Sequence, residues 1–188
     1  MSWKNTAERY GLLSIGFHWL MFLLMIAVYA CIELRELYPK GSDPRNALKT
    51  WHFMLGLSMF LLVWLRLAVR LFQPIPEYQL GINPWQASAA KAMHYVLYLF
   101  MVSMPLMGWL ILSTEGKTIP FFGFELPSLM AENHDIAESI EEIHEIVGTA
   151  GYFLMALHTL AALFHHYLLK DNTIRRILPG KISLGNEK

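Results

Sequence analysis

An all-α fold, an integral membrane bundle of four helices, is predicted by two features of the chain: its uneven charge and its long apolar runs. The 188 residues are 55% hydrophobic and only 16% charged, where a soluble domain carries about 25% charged residues. Residues 11–32 and 92–114 contain no Asp, Glu, Lys or Arg. Residues 50–65 are uncharged up to Arg66, and residues 146–169 again hold none of the four types. Each run, with its interfacial neighbours, suffices for a hydrocarbon layer of about 30 Å, which needs roughly 20 apolar residues. The chain therefore reads as a single membrane domain over 1–188, with no internal repeat and no room for a second domain.

The first helix is expected at about 10–32. Its apolar stretch exceeds the roughly 7–15 residues of a signal peptide, and no small-residue cleavage site follows it. Val28-Tyr29-Ala30-Cys31 imitates a lipoprotein site, but Tyr29 is too bulky, so the segment is read as retained. Cys31 is the single cysteine, which excludes an internal disulfide. Pro39, Gly41 and Pro44 then mark a turn. The second helix is expected at about 51–72. After it come Pro74, Pro76, Gly81 and Pro84, with residues 85–91 starting an interfacial helix. The third helix, about 92–113, contains Pro105, a predicted kink. Residues 114–138 read as a loop whose Phe121, Phe122 and Phe124 lie at the membrane surface. The fourth helix is expected at about 140–169.

Charge placement orients the spans. With the N-terminus inside, the inner side carries Lys4, Arg9, Arg66, Arg70, Lys91, Lys170, Arg175, Arg176, Lys181 and Lys188, ten basic residues. The outer side carries five: Arg35, Lys40, Arg45, Lys49 and Lys117. The positive-inside rule then places both termini in the cytoplasm. Most acids fall outside, including Glu33, Glu36, Glu115 and the run from Glu132 through Glu145.

The histidines give the bundle its chemistry. His144, Gly151, His158 and His165 recur every seven residues on the fourth helix. A seven-residue step drifts only about 20° around a helix, so the four share one face. His144 and His158 are separated by roughly 21 Å along the axis, at 1.5 Å per residue. His18 on the first helix matches His158 in depth, in the inner half. His52, beginning the second helix, matches His144 on the outer side. Two imidazoles on one iron leave no open coordination position, which suits the passage of single electrons. The spacing thus predicts two non-covalent b-type haems, an inner one on His18 and His158 and an outer one on His52 and His144. An isolated intramembrane histidine can equally be a hydrogen-bonding strut between helices. Two depth-matched pairs on one stripe favour ligation. Gly16, Gly56, Gly148 and Gly151 lie where a flat macrocycle needs close approach to backbone, although close helix packing selects the same residue.

His94, His165 and His166 lie near the inner surface, at a depth shared with Arg66, Arg70 and Lys170. This group suits the carbonyls and protons of a quinone. The arginines suit haem propionates equally well, or lipid phosphates by snorkelling. His134, among acids, reads as a solvated residue. There is no CxxCH haem-attachment motif. Neither a G-x-G-x-x-G nor a Walker motif is present, so nucleotides and nucleic acid are not expected partners.

Five segments, in order, resemble the bacterial cytochrome b561 family: Ser14-Ile15-Gly16-Phe17-His18-Trp19, Arg66-Leu67-Ala68-Val69-Arg70, Pro105-Leu106-Met107-Gly108, Ala161-Ala162-Leu163-Phe164-His165-His166-Tyr167 and Lys170-Asp171-Asn172-Thr173. The resemblance covers nearly the whole chain. It implies a four-helix inner-membrane protein with two b haems, His18 with His158 and His52 with His144 as ligand pairs, and exchange of electrons with the ubiquinone pool. His94, His165 and His166 also fall on histidines of the family. The similarity to one member further implies oxidation of superoxide at the periplasmic face, with Arg35, Lys40, Arg45 or Lys49 attracting the anion.

The leading expectation is thus an oxidoreductase of superoxide:ubiquinone type. The alternative is an electron-relay subunit whose acidic residues 132–145 dock a periplasmic dehydrogenase or cytochrome. A metal-ion transporter fits less well, since the middle of the membrane lacks carboxylates. A membrane scaffold is the remaining reading.

Overall fold

The computed structural model describes residues 2–7, 9–76 and 83–179. Gly81, Lys181 and Lys188, used above for a turn and for orientation, lie outside the described residues. The architecture is four long helices, α1 (Leu12–Leu34), α2 (Asp43–Leu71), α3 (Pro84–Thr114) and α4 (His134–Tyr167). All four are long and apolar enough to cross a membrane. A two-stranded sheet of β1 (Ile119–Phe121) and β2 (Phe124–Leu126) precedes α4, and the short α5 (Thr173–Ile177) follows it.

Three of the helices begin earlier than the apolar runs suggest, and local chemistry explains each. At α2, Asp43 occupies the first turn and proline stands at the first positions. An acid at the helix N-terminus and a proline whose missing N–H would have no helical partner both favour a start there. At α3, Asn83 and Gln86 form a capping box ahead of Pro84, each side chain satisfying the other's backbone N–H. The segment 85–91 is therefore continuous with the third span. At α4, the Asn133 side chain accepts a hydrogen bond from Ile136 N, so the helix starts at His134, which is exposed in its first turn. The helix α3 runs on through Pro105 to Thr114.

The expected loop 114–138 is more ordered than its composition suggests. Glu115 ends α3, and Gly116 takes φ +65°, a conformation suited to glycine. Lys117 N then bonds to Leu112 O and Gly116 N to Ser113 O, satisfying carbonyls left over at the helix end. The hairpin pairs Ile119 with Leu126 and Phe121 with Phe124. Its Ile119 packs with Leu57 and Leu112, which covers one end of the bundle. Phe122 and Phe124 at the turn are exposed.

Sequential helices pack as neighbours, α1 on α2, α2 on α3 and α3 on α4. Met21, Met59, Val63 and Met101 form the central core. The bundle's outer faces, with Leu23, Leu99, Phe153 and Leu160 exposed, are apolar and suit lipid. Few close backbone approaches join α1 to α4. Their seam is spanned by side chains: Tyr29 Oη donates to Gly148 O at 2.7 Å, and Tyr152 Oη donates to Glu33.

At the end opposite the hairpin, Asn5 gathers the N-terminal segment. Its side-chain oxygen accepts from Gly11 N and Ser14 Oγ, while its amide nitrogen donates to Pro74 O. On the same end, Trp19 Nε1 donates to Ile177 O, tying α5 to α1.

Candidate functional site

Histidines from all four helices line two cavities stacked along the bundle axis. The larger, about 340 Å³, lies toward the hairpin end and is bordered by His52 of α2 and His144 of α4. The smaller, about 100 Å³, is bordered by His18 of α1, His94 of α3 and His158 of α4. Met25 and Met101 line both and form the wall between them. The heptad stripe of α4 thus delivers one histidine to each cavity, as its spacing requires.

In the larger cavity the His52 and His144 rings stand with centroids 6.3 Å apart at an interplanar angle of 75°. His52 Nδ1 donates to Val28 O at 3.0 Å. That bond leaves the Nε2 lone pair free, the arrangement of a metal-ligating histidine. His144 Nδ1 is buried and has no hydrogen-bond partner among the described residues. Gly56 also lines this cavity, and a Cβ there would meet nothing within 4 Å. At Gly148 a Cβ would stand 3.4 Å from the Met104 methyl. Gly151 is filled differently: a Cβ would collide with the Tyr29 hydroxyl and the Phe100 ring. Gly16 faces open space but borders neither cavity.

The smaller cavity brings three imidazoles together, where sequence spacing paired only two. His94 and His158 have ring centroids 5.5 Å apart, and His94 Nδ1 donates to Ala90 O. Arg66 Nη2 donates to His18 Nδ1 at 3.2 Å. Because a guanidinium can only donate, neutral His18 carries its proton on Nε2. Ligation through that nitrogen requires the proton to shift and Arg66 to turn away. Arg66 and Arg70 both stand over the Tyr98 ring, at 5.7 and 5.8 Å. Among the described residues neither has a carboxylate within ion-pair distance.

The expected inner-surface cluster divides in two. His94 and Arg66 line the smaller cavity, and Arg70 stands over the ring of Tyr98, which lines it too. His165 Nδ1 pairs with Asp171 Oδ2 at 2.9 Å, and His166 Nδ1 donates to Asp171 O. Lys170 forms the turn between them, at φ +55°. Burial pushes the Asp171 carboxyl up, but hydrogen bonds from Thr173 and the facing His165 outweigh it and hold its pKa below the ordinary value.

Several contributing residues carry no motif. Val28 enters through its backbone carbonyl, Tyr29 through a contact with a helix 119 positions away, and Met104 through proximity. A hydroxyl inside an apolar run was the one available signal, at Tyr29.

A pair of histidines can ligate a metal only partly, and among the described residues no group of three or more His, Cys, Asp or Glu side chains is arranged to hold a metal ion. Paired imidazoles suit a metal that brings its own equatorial ligands, as in a haem. Metal–imidazole bonds of about 2.0–2.1 Å put the ring centres of two axial imidazoles roughly 6 Å apart. The His52–His144 separation fits that span, and the open space at Gly56 fits the flat macrocycle. In the smaller cavity His94 and His158 are closer than the span. Arg66 at its border, with Arg70 over the same Tyr98 ring, suits carboxylates.

Fold and site together define a multi-pass membrane cytochrome of the b type. A family model described as prokaryotic cytochrome b561 matches residues 9–180, and the chain belongs to that family, whose proteins carry b-type haem and transfer electrons in membranes. The chain is 36% identical over 174 residues to a protein of Yersinia pestis named probable superoxide oxidase CybB, covering 93% of this chain and 98% of that one. It is 36% identical over 172 residues to cytochrome b561 homolog 1 of Escherichia coli (strain K12), covering 92% and 98%. To cytochrome b561 homolog 2 of the same strain it is 30% identical over 184 residues, 97% of each chain.

Proposed function

We propose that the chain carries electrons between the periplasmic face of the bacterial inner membrane and the ubiquinone pool, through two b-type haems. His52 and His144 hold the outer haem, and His18 and His158 hold the inner one, with both termini cytoplasmic. The observation carrying this reading is the 6.3 Å separation of the His52 and His144 rings across a cavity. The excess of Lys and Arg at the termini end supports the orientation. Bound between such imidazoles, haem supplies one-electron carriage without a change of ligands.

The chain's own residues do the remaining work. The Val28 carbonyl fixes the His52 tautomer and aims its Nε2. Arg66, once released from His18, and Arg70 pair with propionates. His94 borders the inner site as a third, non-ligating imidazole. His165, oriented by Asp171, and His166 serve a quinone at the membrane surface, giving hydrogen bonds to its carbonyls and passing protons.

Superoxide is the leading donor, a reading supported by the name of the Yersinia pestis relative. Two superoxide ions each lose one electron to become dioxygen, and ubiquinone takes both electrons with two protons to become ubiquinol. Arg35 and Lys49 border the outer cavity and attract the anion. Glu141 and Glu145 border it as well. These acids favour the second reading, a relay subunit that accepts electrons from a basic periplasmic dehydrogenase or cytochrome.

The discriminating experiment supplies enzymatically generated superoxide to the purified, haem-loaded protein in vesicles containing ubiquinone. Superoxide-dependent ubiquinol formation, lost in His52→Ala, is the expected result. Intact low-spin haem spectra without such turnover would favour the relay.

A further inference from the structure

Two adjacent residues of α1 touch both helices that carry the outer histidines. The Val28 carbonyl accepts from His52 Nδ1 on α2, at 3.0 Å. The Tyr29 hydroxyl donates to the Gly148 carbonyl on α4, at 2.7 Å. Gly148 lies one helical turn beyond His144, so the two are neighbours on one face. His52, Val28, Tyr29, Gly148 and His144 therefore form one continuous link from imidazole to imidazole.

The link is reinforced on both sides. The Tyr29 ring packs against Tyr152 with centroids 4.5 Å apart. Tyr152 in turn donates to Glu33, one turn along α1 from Tyr29. Gly151 supplies the seat, since a Cβ there would collide with the Tyr29 hydroxyl and with Phe100. The backbones of α1 and α4 make few close approaches, so side-chain contacts set how the helices stand at this depth. Apolar packing alone needs only a phenylalanine ring. The hydroxyl adds a directional bond, which fixes position as well as distance.

We infer that Tyr29 is a positioning residue for the outer site: it fixes the separation and mutual orientation of His52 and His144 by tying α4 to the point of α1 that holds His52. The inference rests on the proposed ligation of a haem by those two histidines. It goes further by naming what sets their geometry.

The test uses the full-length, haem-loaded protein and its Tyr29→Phe variant, which keeps the ring and loses the hydroxyl. Low-temperature EPR of the ferric protein reports the relative orientation of axial imidazoles, and redox titration reports the potential of each haem. The expected result is an unchanged haem content with one low-spin signal and its midpoint shifted, the other staying in place. Gly151→Ala evicts the hydroxyl from the α4 side and should shift the same signal. In the double variant the shift should be smaller than the sum of the two single-variant shifts, because both break one contact. Unchanged signals in both single variants would overturn the inference, as would an equal shift of both signals, which marks general loosening. Loss of the outer haem alone supports it, and loss of both haems counts against it. His52→Ala and His144→Ala, measured alongside, test the underlying reading. If neither removes the signal that Tyr29→Phe shifts, the ligand assignment has failed rather than the role of Tyr29.

Discussion

The imidazoles of His52 and His144, which are 92 positions apart in the chain, stand with ring centres 6.3 Å apart across the larger cavity. Neither helix alone defines the site; the packing of α2 and α4 around a cavity brings the rings together. His52→Ala and His144→Ala should therefore each remove the same haem and leave about half of the total. Pyridine-haemochrome quantitation, with redox titration to identify which haem remains, checks this. Removal of a different haem by each substitution would show that the rings belong to separate sites.

His94 poses the sharper question at the inner site, because its ring lies 5.5 Å from that of His158. Its closeness to His158, shorter than the span of two imidazoles on one iron, favours a bordering role over ligation. His18→Ala and His158→Ala should each cost one haem, whereas His94→Ala should retain both. A haem lost in His94→Ala but kept in His18→Ala would reassign the ligand.

Asn5 is a stability determinant at the termini end, only 8% exposed. Its side chain receives Gly11 N and Ser14 Oγ and donates to Pro74 O. Asn5→Ala leaves these groups without that partner, a loss of about 1–3 kcal/mol. Thermal unfolding in detergent should show a lower midpoint, with the haem spectrum at low temperature unchanged.

Asp171 gives the C-terminal segment a pH dependence of definite sign. Its carboxyl pKa is held below the ordinary value, against the opposing effect of burial, by Thr173 and His165. A carboxylate depressed in the folded state stabilises above its unfolded pKa, about 3.9, and that contribution is lost as pH falls through the lower folded value. A spin label at Leu178 should remain immobilised at pH 5 and become mobile only below about pH 4. In Asp171→Asn it should already be mobile at pH 7.

Lys49 borders the outer cavity and stands 5.7 Å from the centre of the Phe53 ring. Among the described residues it has no carboxylate within ion-pair distance. If the donor is a small anion, Lys49→Gln should lower the rate of haem reduction by a factor of about 2–5 and weaken its salt dependence. Stopped-flow reduction by superoxide at several ionic strengths measures both.

The sequence made the spans legible because uncharged runs are a direct consequence of the solvent they meet. It also made the α4 stripe legible, because helix geometry turns a seven-residue spacing into one face. Helix starts at Asp43, Pro84 and His134 were harder to read. They are set by single polar residues such as Asn83 and Asn133, whose capping role extends a helix beyond its apolar run. The Ile119–Leu126 pairing was hidden within an aromatic loop. The grouping of His94 with His158 depends on the angular placement of α3, which depth along the membrane does not encode. The bond between Tyr29 and Gly148 was out of reach for the same reason: it exists only once α1 and α4 are set side by side.

The most direct test of the central claim is a reduced-minus-oxidised visible spectrum of the purified protein, with haem quantified per chain. The account predicts a low-spin b-type spectrum and two haems per chain. One haem, or none in protein produced with ample haem supply, would contradict it.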